Sequence, residues 1–91
     1  MNIRLIRYEG KVQGVGFRAS VLQLARGYEI TGYVKNLPDG RVELAARGES
    51  NEVNDFLVAI RQSHLQSHIH AEEESPCHTI SAPLEHGFKI L

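Results

Sequence analysis

The spacing of hydrophobic residues changes several times along the chain, and each change predicts a different element. Residues 2–8 place Ile3 and Leu5 among polar neighbours, as in a half-buried strand. From Phe17 onward, apolar residues recur at helical intervals, and Gly27 follows at a position typical of a helix end. The pattern therefore predicts a strand followed by a helix.

The middle of the chain predicts a hairpin and a second helix. Residues 29–36 and 41–47 are rich in strand-favouring or alternating residues, and the Leu-Pro-Asp-Gly sequence at residues 37–40 is typical of a turn. Ser50 is expected to be the N-cap of the second helix, with Glu52 in its first turn. The apolar stripe of this helix has the spacing i, i+3, i+4, i+7, and comprises Val53, Phe56, Leu57 and Ile60.

The hydrophobic pattern predicts secondary structure less clearly towards the C-terminal end of the chain. Residues 69–75 predict a strand only at a sheet edge, because they contain three consecutive glutamates, and residues 88–90 predict a short closing strand. The order βαββαβ, with a possible extra strand, defines the α+β class. We expect a ferredoxin-like α/β sandwich with two helices on one face of a four- to five-stranded, mostly antiparallel sheet.

This topology has a consequence for function. The third strand is expected to lie between the first and the second, which then run parallel and end on the same side of the sheet. With neighbouring strands roughly 4.8 Å apart, the two ends lie about 10 Å from each other. Arg18, after the first strand, and Asn36, at the end of the second, should therefore face one ligand.

Composition restricts the possible partners. The chain has 91 residues, 42% hydrophobic and 23% charged, and a formal net charge of −1, which suits one small globular domain with no nucleic-acid or membrane partner. A single cysteine allows no internal disulfide and favours a reducing compartment. The first ten residues contain arginines and no apolar run. We expect a cytoplasmic protein and a monomer.

The most informative sequence is GKVQGVGFR at residues 10–18. Its three glycines allow sharp backbone turns at a strand-to-helix junction, where free N–H groups and the helix dipole attract anions. Arg18 adds a guanidinium that can bind two phosphoryl oxygens, although the dipole disfavours a cation in the first turn unless an anion compensates. The loop therefore predicts a phosphate site, and a plain strand-to-helix connection is the alternative.

Two further features admit simpler interpretations. Asn36 can serve only to begin the turn, but an amide can also accept from a water while donating to a phosphoryl oxygen. The spacing from Gly14 to Ala19 matches a dinucleotide fingerprint, yet the chain is too short for two mononucleotide-binding halves.

The histidines and the cysteine do not form a convincing metal motif. His64 and His68 are four residues apart, but the second helix is expected to end near Ser63, and no second cysteine accompanies Cys77. We therefore expect no metal, and the roles of His64, His68, His70, Cys77 and His78 stay open.

Two motifs carry a family resemblance. GKVQGVGFR at residues 10–18 and GYVKNLPDGRVELAARG at residues 32–48 resemble the acylphosphatase family, and the closing residues 87–90 are also similar. The resemblance covers nearly the whole chain. It implies a single acylphosphatase-like domain over residues 1–91, and hydrolysis of small acyl phosphates to a carboxylate and inorganic phosphate without metal or organic cofactor.

The resemblance also implies roles for individual residues. Arg18 matches the family's phosphate-binding arginine and Asn36 the asparagine that orients the attacking water. The backbone of Gln13, Gly14, Val15, Gly16 and Phe17 matches the phosphate cradle. The sequence departs from the family pattern at Tyr8, where an aliphatic residue is more frequent, and at Leu37, where some members have a hydroxyl residue.

Three other functions are alternatives. Similar domains begin larger hydrogenase-maturation proteins that handle carbamoyl phosphate, and a regulatory module could bind phosphate without hydrolysing it. RNA-recognition motifs share the βαββαβ order, but residues 41–47 have no aromatic side chains on which bases could stack. The length of the chain favours the small enzyme over the larger assembly.

Overall fold

The computed structural model describes residues 2–80, 82, 84 and 86–91, and these contain two helices and five strands. Two short 3-10 helices are also present: His64–His68 follows the second helix, and Cys77–Thr79 lies between the last two strands. The elements are β1 Asn2–Gly10, α1 Phe17–Ala25, β2 Ile30–Asn36, β3 Val42–Gly48, α2 Ser50–Gln62, β4 Ile69–Ser75 and β5 Phe88–Ile90.

The five strands form one sheet in the order β4-β1-β3-β2-β5. Because β3 pairs antiparallel with both β1 and β2, these two strands run parallel and end on the same side of the sheet. β4 is antiparallel to β1, whereas β5 is parallel to β2. The predicted ferredoxin-like sandwich is confirmed, and the two weakly predicted strands occupy the two edges.

Both helices bury their apolar faces against one side of the sheet. Phe17 is 1% exposed and packs on Tyr8, with 5.2 Å between ring centroids. Burying a side chain of this size stabilises the fold by roughly 1.5–3 kcal/mol, and Phe17 is also the first residue of α1. The core thus anchors the N-terminus of that helix. The same cluster includes Ile6, Val21, Val34, Leu44, Val53, Phe56, Leu57 and Ile60.

The other side of the sheet carries a smaller cluster and a buried carboxylate. Leu5, Tyr33 and Ala45 pack there against Ile80, Ala82 and Leu84. Beside them Glu43 is 1% exposed; it accepts hydrogen bonds from the Tyr33 hydroxyl at 2.6 Å and from Arg7 Nε at 3.1 Å.

One predicted cap is wrong. Ser50 is the first residue of α2, and Glu49, in extended conformation, occupies the N-cap without a side-chain cap hydrogen bond. The helix begins one residue earlier because the Glu49 carbonyl already accepts from the Val53 N–H at 3.0 Å. Glu52 does lie in the first turn, as predicted, and accepts the backbone N–H of Glu29 at 2.8 Å.

Candidate functional site

A pocket of about 190 Å³ lies where the loop after β1 enters α1, beside the last residue of β2. It brings together both predicted catalytic residues and three of the cradle residues. Strand order explains the meeting, because β1 and β2 end on the same side of the sheet with only β3 between them. The lining residues are Val12, Gly14, Gly16, Phe17, Arg18, Ala19, Asn36 and Ile90.

The loop conformation depends on its glycines. Gly14 and Gly16 both have φ of 77°, in the left-handed region that side chains disfavour. A Cβ at either position would meet no atom within 4 Å. Glycine is therefore required for the backbone angle rather than for space, and the side of the loop next to the pocket stays open. Gly16 is also the N-cap residue of α1, without a side-chain cap.

Arg18 lies in the first turn of α1, which contains no acidic residue. Its Nη1 donates to the carbonyl oxygen of Leu91 over 3.4 Å, a long hydrogen bond between exposed groups. Within the described residues, no Asp or Glu carboxylate lies within ion-pair distance of Arg18. The guanidinium is thus available for an external anion at a position where the helix dipole alone would disfavour it.

Asn36 lines the same pocket and has a buried hydrogen-bond acceptor. Its Oδ1 is shielded from solvent and has no hydrogen-bond partner among the described residues. Buried polar atoms are nearly always paired, and leaving one unpaired costs about 1–3 kcal/mol. Asn36 therefore carries an unused acceptor on a residue that lines the pocket.

Two of the predicted cradle residues do not line the pocket. Val15 is 38% exposed and lies between the two lining glycines. The side chain of Gln13 faces the hairpin turn instead, where its Nε2 donates to the carbonyl oxygens of Leu37 and Arg41, each at 2.9 Å. The phosphate contacts expected of their backbone N–H groups stay predictions.

Sequence reasoning missed Val12, Ala19 and Ile90 as lining residues. Ile90 reaches the pocket because β5 pairs parallel with β2, the strand that ends at Asn36. Nothing in the sequence shows which edge of a sheet a three-residue strand will join. Ala19 could have been placed, since it follows Arg18 within the first turn of α1.

A larger concavity on the sheet differs in its electrostatics. It has a volume of about 430 Å³, and its lining includes Arg7 and Arg41 together with Glu9 and Glu73. Both arginines are already paired, Arg7 with Glu43 at 3.1 Å and Arg41 with Asp39 at 2.9 Å. An anion would have to displace a carboxylate there, so the smaller pocket is the better candidate site.

The histidines are dispersed. His64 and His68 lie in a 3-10 helix beyond α2, and His64 Nε2 is 3.2 Å from the Ser20 hydroxyl. His70 and His78 are exposed, and the side chain of Cys77 lies outside the described part of the structure. Over the described residues, no three His, Cys, Asp or Glu side chains are grouped so that they could hold a metal ion.

The helices do not have the properties of membrane spans in the described part of the chain. Of those in the described part of the chain, none combines the length and the apolar character that crossing a bilayer requires.

The fold and the pocket define an α+β sandwich whose candidate site joins a helix N-terminus to the end of a neighbouring strand. Comparison with known proteins gives the family. The acylphosphatase family model matches residues 5–90, and the chain therefore belongs to the acylphosphatase family. The predicted acylphosphatase activity is confirmed at this general level.

Individual relatives agree with this assignment. An acylphosphatase of Methanospirillum hungatei is 43% identical over 72 residues, which are 75% of this chain and 79% of that protein. The crystal structure of an acylphosphatase from Bacillus subtilis superimposes with a TM-score of 0.82 at 33% identity, covering 100% of this chain and 99% of the other. T. kodakarensis HypF has a TM-score of 0.76 at 26% identity, and the match covers 100% of this chain but 12% of HypF.

Proposed function

We propose that this protein hydrolyses the carboxyl-phosphate bond of small acyl phosphates, releasing a carboxylate and inorganic phosphate without metal or organic cofactor. One observation carries the proposal. Arg18, which has no Asp or Glu partner among the described residues, and Asn36, whose buried Oδ1 has no described hydrogen-bond partner, line the same pocket. This reaction needs a cation that binds the phosphoryl group and a hydrogen-bond acceptor that orients the attacking water.

Arg18 and the loop from Gln13 to Phe17 bind the phosphoryl group in this proposal. The guanidinium offers parallel N–H donors, and the loop leads into the positive end of α1. The left-handed Gly14 and Gly16 support this role, because successive N–H groups in such a turn form an anion-binding concavity.

Asn36 orients the attacking water. Its Oδ1 accepts a hydrogen bond from the water, so that the water oxygen is aimed at phosphorus. A bond forms between this oxygen and phosphorus, while the bond between phosphorus and the acyl oxygen breaks. The carboxylate leaves with the electron pair and needs no proton, and the water's proton passes to an oxygen of the phosphate. Positioning and charge neutralisation are then the protein's main contributions.

Benzoyl phosphate provides the test. Purified protein should release phosphate from it faster than the uncatalysed reaction, with EDTA present and no metal added. Heat-denatured protein gives the background. Absence of enzymatic release would contradict the hydrolase proposal, and activity abolished by EDTA and restored by a divalent metal would contradict the metal-free mechanism.

A second candidate is a domain that handles carbamoyl phosphate or only binds phosphate. The similarity to part of HypF favours it, since this fold also occurs within that much longer chain. The two candidates differ in turnover. Hydrolysis of carbamoyl phosphate much faster than of benzoyl phosphate would favour the second, as would phosphate binding by calorimetry with no hydrolysis of either.

We also propose that residues 1–91 act as a single acylphosphatase-like domain and as a monomer in the cytoplasm. The single sheet with one main core supports one domain, and the single cysteine suits a reducing compartment. Light scattering coupled to size exclusion should give a mass near 10.2 kDa. A mass of twice that value would contradict the monomer.

A further inference from the structure

The side chain of Gln13 links the two halves of the candidate site. Gln13 lies in the loop before α1, and its Nε2 donates to the carbonyl oxygens of Leu37 and Arg41. Both distances are 2.9 Å, so both protons of the amide are used. The acceptors belong to the turn between β2 and β3, and Leu37 is bonded directly to Asn36.

The turn does not need Gln13 in order to close. The Leu37 N–H donates to the Arg41 carbonyl at 2.8 Å, and the Gly40 N–H donates to the Leu37 carbonyl at 3.2 Å. Each carbonyl therefore already has a backbone partner, and the amide of Gln13 occupies the second lone pair. What Gln13 adds is a connection between segments 24 and 28 residues apart.

That connection has no substitute in the described structure. Among the hydrogen bonds of the described residues, no other joins the loop of residues 11–16 to the turn of residues 37–41. Val12 anchors the start of the loop in the main core, where it is 1% exposed, whereas Gly14, Val15 and Gly16 are exposed and have no regular secondary structure. The half-buried Gln13 is thus the residue of the loop whose side chain is hydrogen-bonded to the turn that follows β2.

We propose that Gln13 is a positioning residue for hydrolysis, setting the distance between the loop that holds the phosphoryl group and the asparagine that holds the water. The inference rests on the proposed function. In-line attack requires both reactants in register, and a shift of about 1 Å can reduce the rate 100-fold. The side chain of Gln13 touches neither reactant, since its amide is bonded to the turn, and it acts through Asn36.

The test replaces Gln13 by methionine, which has a similar length but no N–H donor. Gln13→Met is expected to lower kcat for benzoyl phosphate by roughly 10- to 100-fold. The inhibition constant of inorganic phosphate should change much less, since the loop and Arg18 stay present. Gln62→Met, an exposed position at the end of α2, is the matched control and should retain wild-type kcat.

A double-mutant cycle with Asn36 distinguishes a positioning role of Gln13 from a purely structural one. If Gln13 acts through Asn36, Gln13→Met should reduce kcat far less in an Asn36→Ala background than in the wild type. Gln13→Asn keeps the donors on a shorter side chain, and should recover part of the lost activity if the link matters. Circular dichroism and thermal melting report whether each variant folds.

The outcomes separate the two proposals. Wild-type protein that hydrolyses no acyl phosphate would overturn the proposed function, and this inference with it. Active wild-type protein with unchanged kcat in Gln13→Met would overturn the positioning role alone. So would full additivity with Asn36→Ala, or a Gln13→Met that loses activity only in proportion to its unfolded fraction, with Gln13→Asn no better.

Discussion

Two polar clusters lie on opposite faces of the same sheet and differ in how their groups are paired. On the face away from the helices, the Glu43 carboxylate is 1% exposed and receives hydrogen bonds from Tyr33 and Arg7. On the helix side, Asn36 Oδ1 is buried without a described partner, and Arg18 has one long hydrogen bond. The carboxylate of the first cluster has its hydrogen-bond partners within the protein, whereas Asn36 Oδ1 in the second cluster has none among the described residues.

The difference shows how to distinguish structural from functional polar groups. A buried charge is tolerated when neighbours pair with it, and removing a neighbour then costs stability. A buried group without a partner costs stability as it stands, and at a residue that lines a pocket a ligand can supply the missing contact. The Glu43 cluster should therefore control folding, and the Asn36 pocket should control activity.

The largest expected effect is on stability, at Glu43. Glu43→Ala leaves the Tyr33 hydroxyl and Arg7 without their carboxylate partner and creates a cavity, so the free energy of unfolding should fall by about 3–5 kcal/mol. Urea denaturation measures it. Glu43→Gln keeps the volume and an acceptor and should lose less, and Glu49→Ala, at an exposed position, is the control. A loss below about 1 kcal/mol would mean that this cluster is not structural.

Activity should respond most at Arg18 and Asn36. Arg18→Ala and Asn36→Ala are each expected to lower kcat about 100- to 1000-fold, or roughly 2.7–4 kcal/mol of transition-state stabilisation. Their free energies of unfolding should change by less than about 1 kcal/mol, since neither side chain has a strong partner to lose. Benzoyl phosphate assays and urea curves measure both quantities.

Matched controls use the same residue types outside the pocket. Arg26→Ala, at the exposed C-cap of α1, and Asn54→Ala, on the exposed face of α2, should retain wild-type kcat. Parent-level activity in a folded Arg18→Ala or Asn36→Ala would refute the roles proposed for these residues. A large loss of stability in Asn36→Ala would erase the contrast between the two clusters.

A smaller effect is expected at Tyr33. Tyr33→Phe removes the 2.6 Å hydrogen bond to Glu43 and leaves the ring in place. A hydrogen bond to a charged group contributes about 1.5–3 kcal/mol, and the free energy of unfolding should fall by that amount. Tyr28→Phe, a half-buried tyrosine packed against Phe56, serves as control. Equal losses in the two variants would show that the Tyr33 hydroxyl has no special role.

The smallest effect concerns a solvent-exposed ion pair. Arg4 donates to Glu74 at 2.7 Å and 2.9 Å, and this hydrogen bonding lowers the pKa of Glu74 below its ordinary value of 4.5. Because the carboxyl pKa is lowered in the folded state, the pair stabilises that state at pH values above 4.5. The contribution is then lost as the pH falls through the folded-state pKa.

Because both groups are partly solvated, the pair should contribute only about 0.2–1 kcal/mol at neutral pH. The difference in unfolding free energy between wild type and Glu74→Gln measures it. That difference should shrink in 1 M salt and below pH 4, in roughly the range where the carboxyl protonates. A difference that grows on acidification would contradict the assigned pKa direction.

Much of the fold was predictable because local signals agreed with the final structure. The stripe of α2, the hairpin turn and the glycines around Phe17 each specify an element without distant contacts. The prediction of Ser50 as the N-cap is wrong, although serine is a good N-cap residue. The Glu49 carbonyl accepts the first helical hydrogen bond, so the helix begins one residue earlier. Glu43 could not be recognised as buried, since its partners are on two other strands.

The amino-acid sequence by itself determined the order of the elements, the glycine-rich loop with Arg18, and the position of Asn36 at a strand end. These depend on short-range patterns and on backbone angles that few residue types adopt. Only the tertiary structure decided that Ile90 lines the pocket, that Gln13 bonds to the hairpin turn, and that Asn36 Oδ1 lacks a partner. Those facts depend on which groups remain unpaired once distant strands have packed, and local sequence carries no record of them.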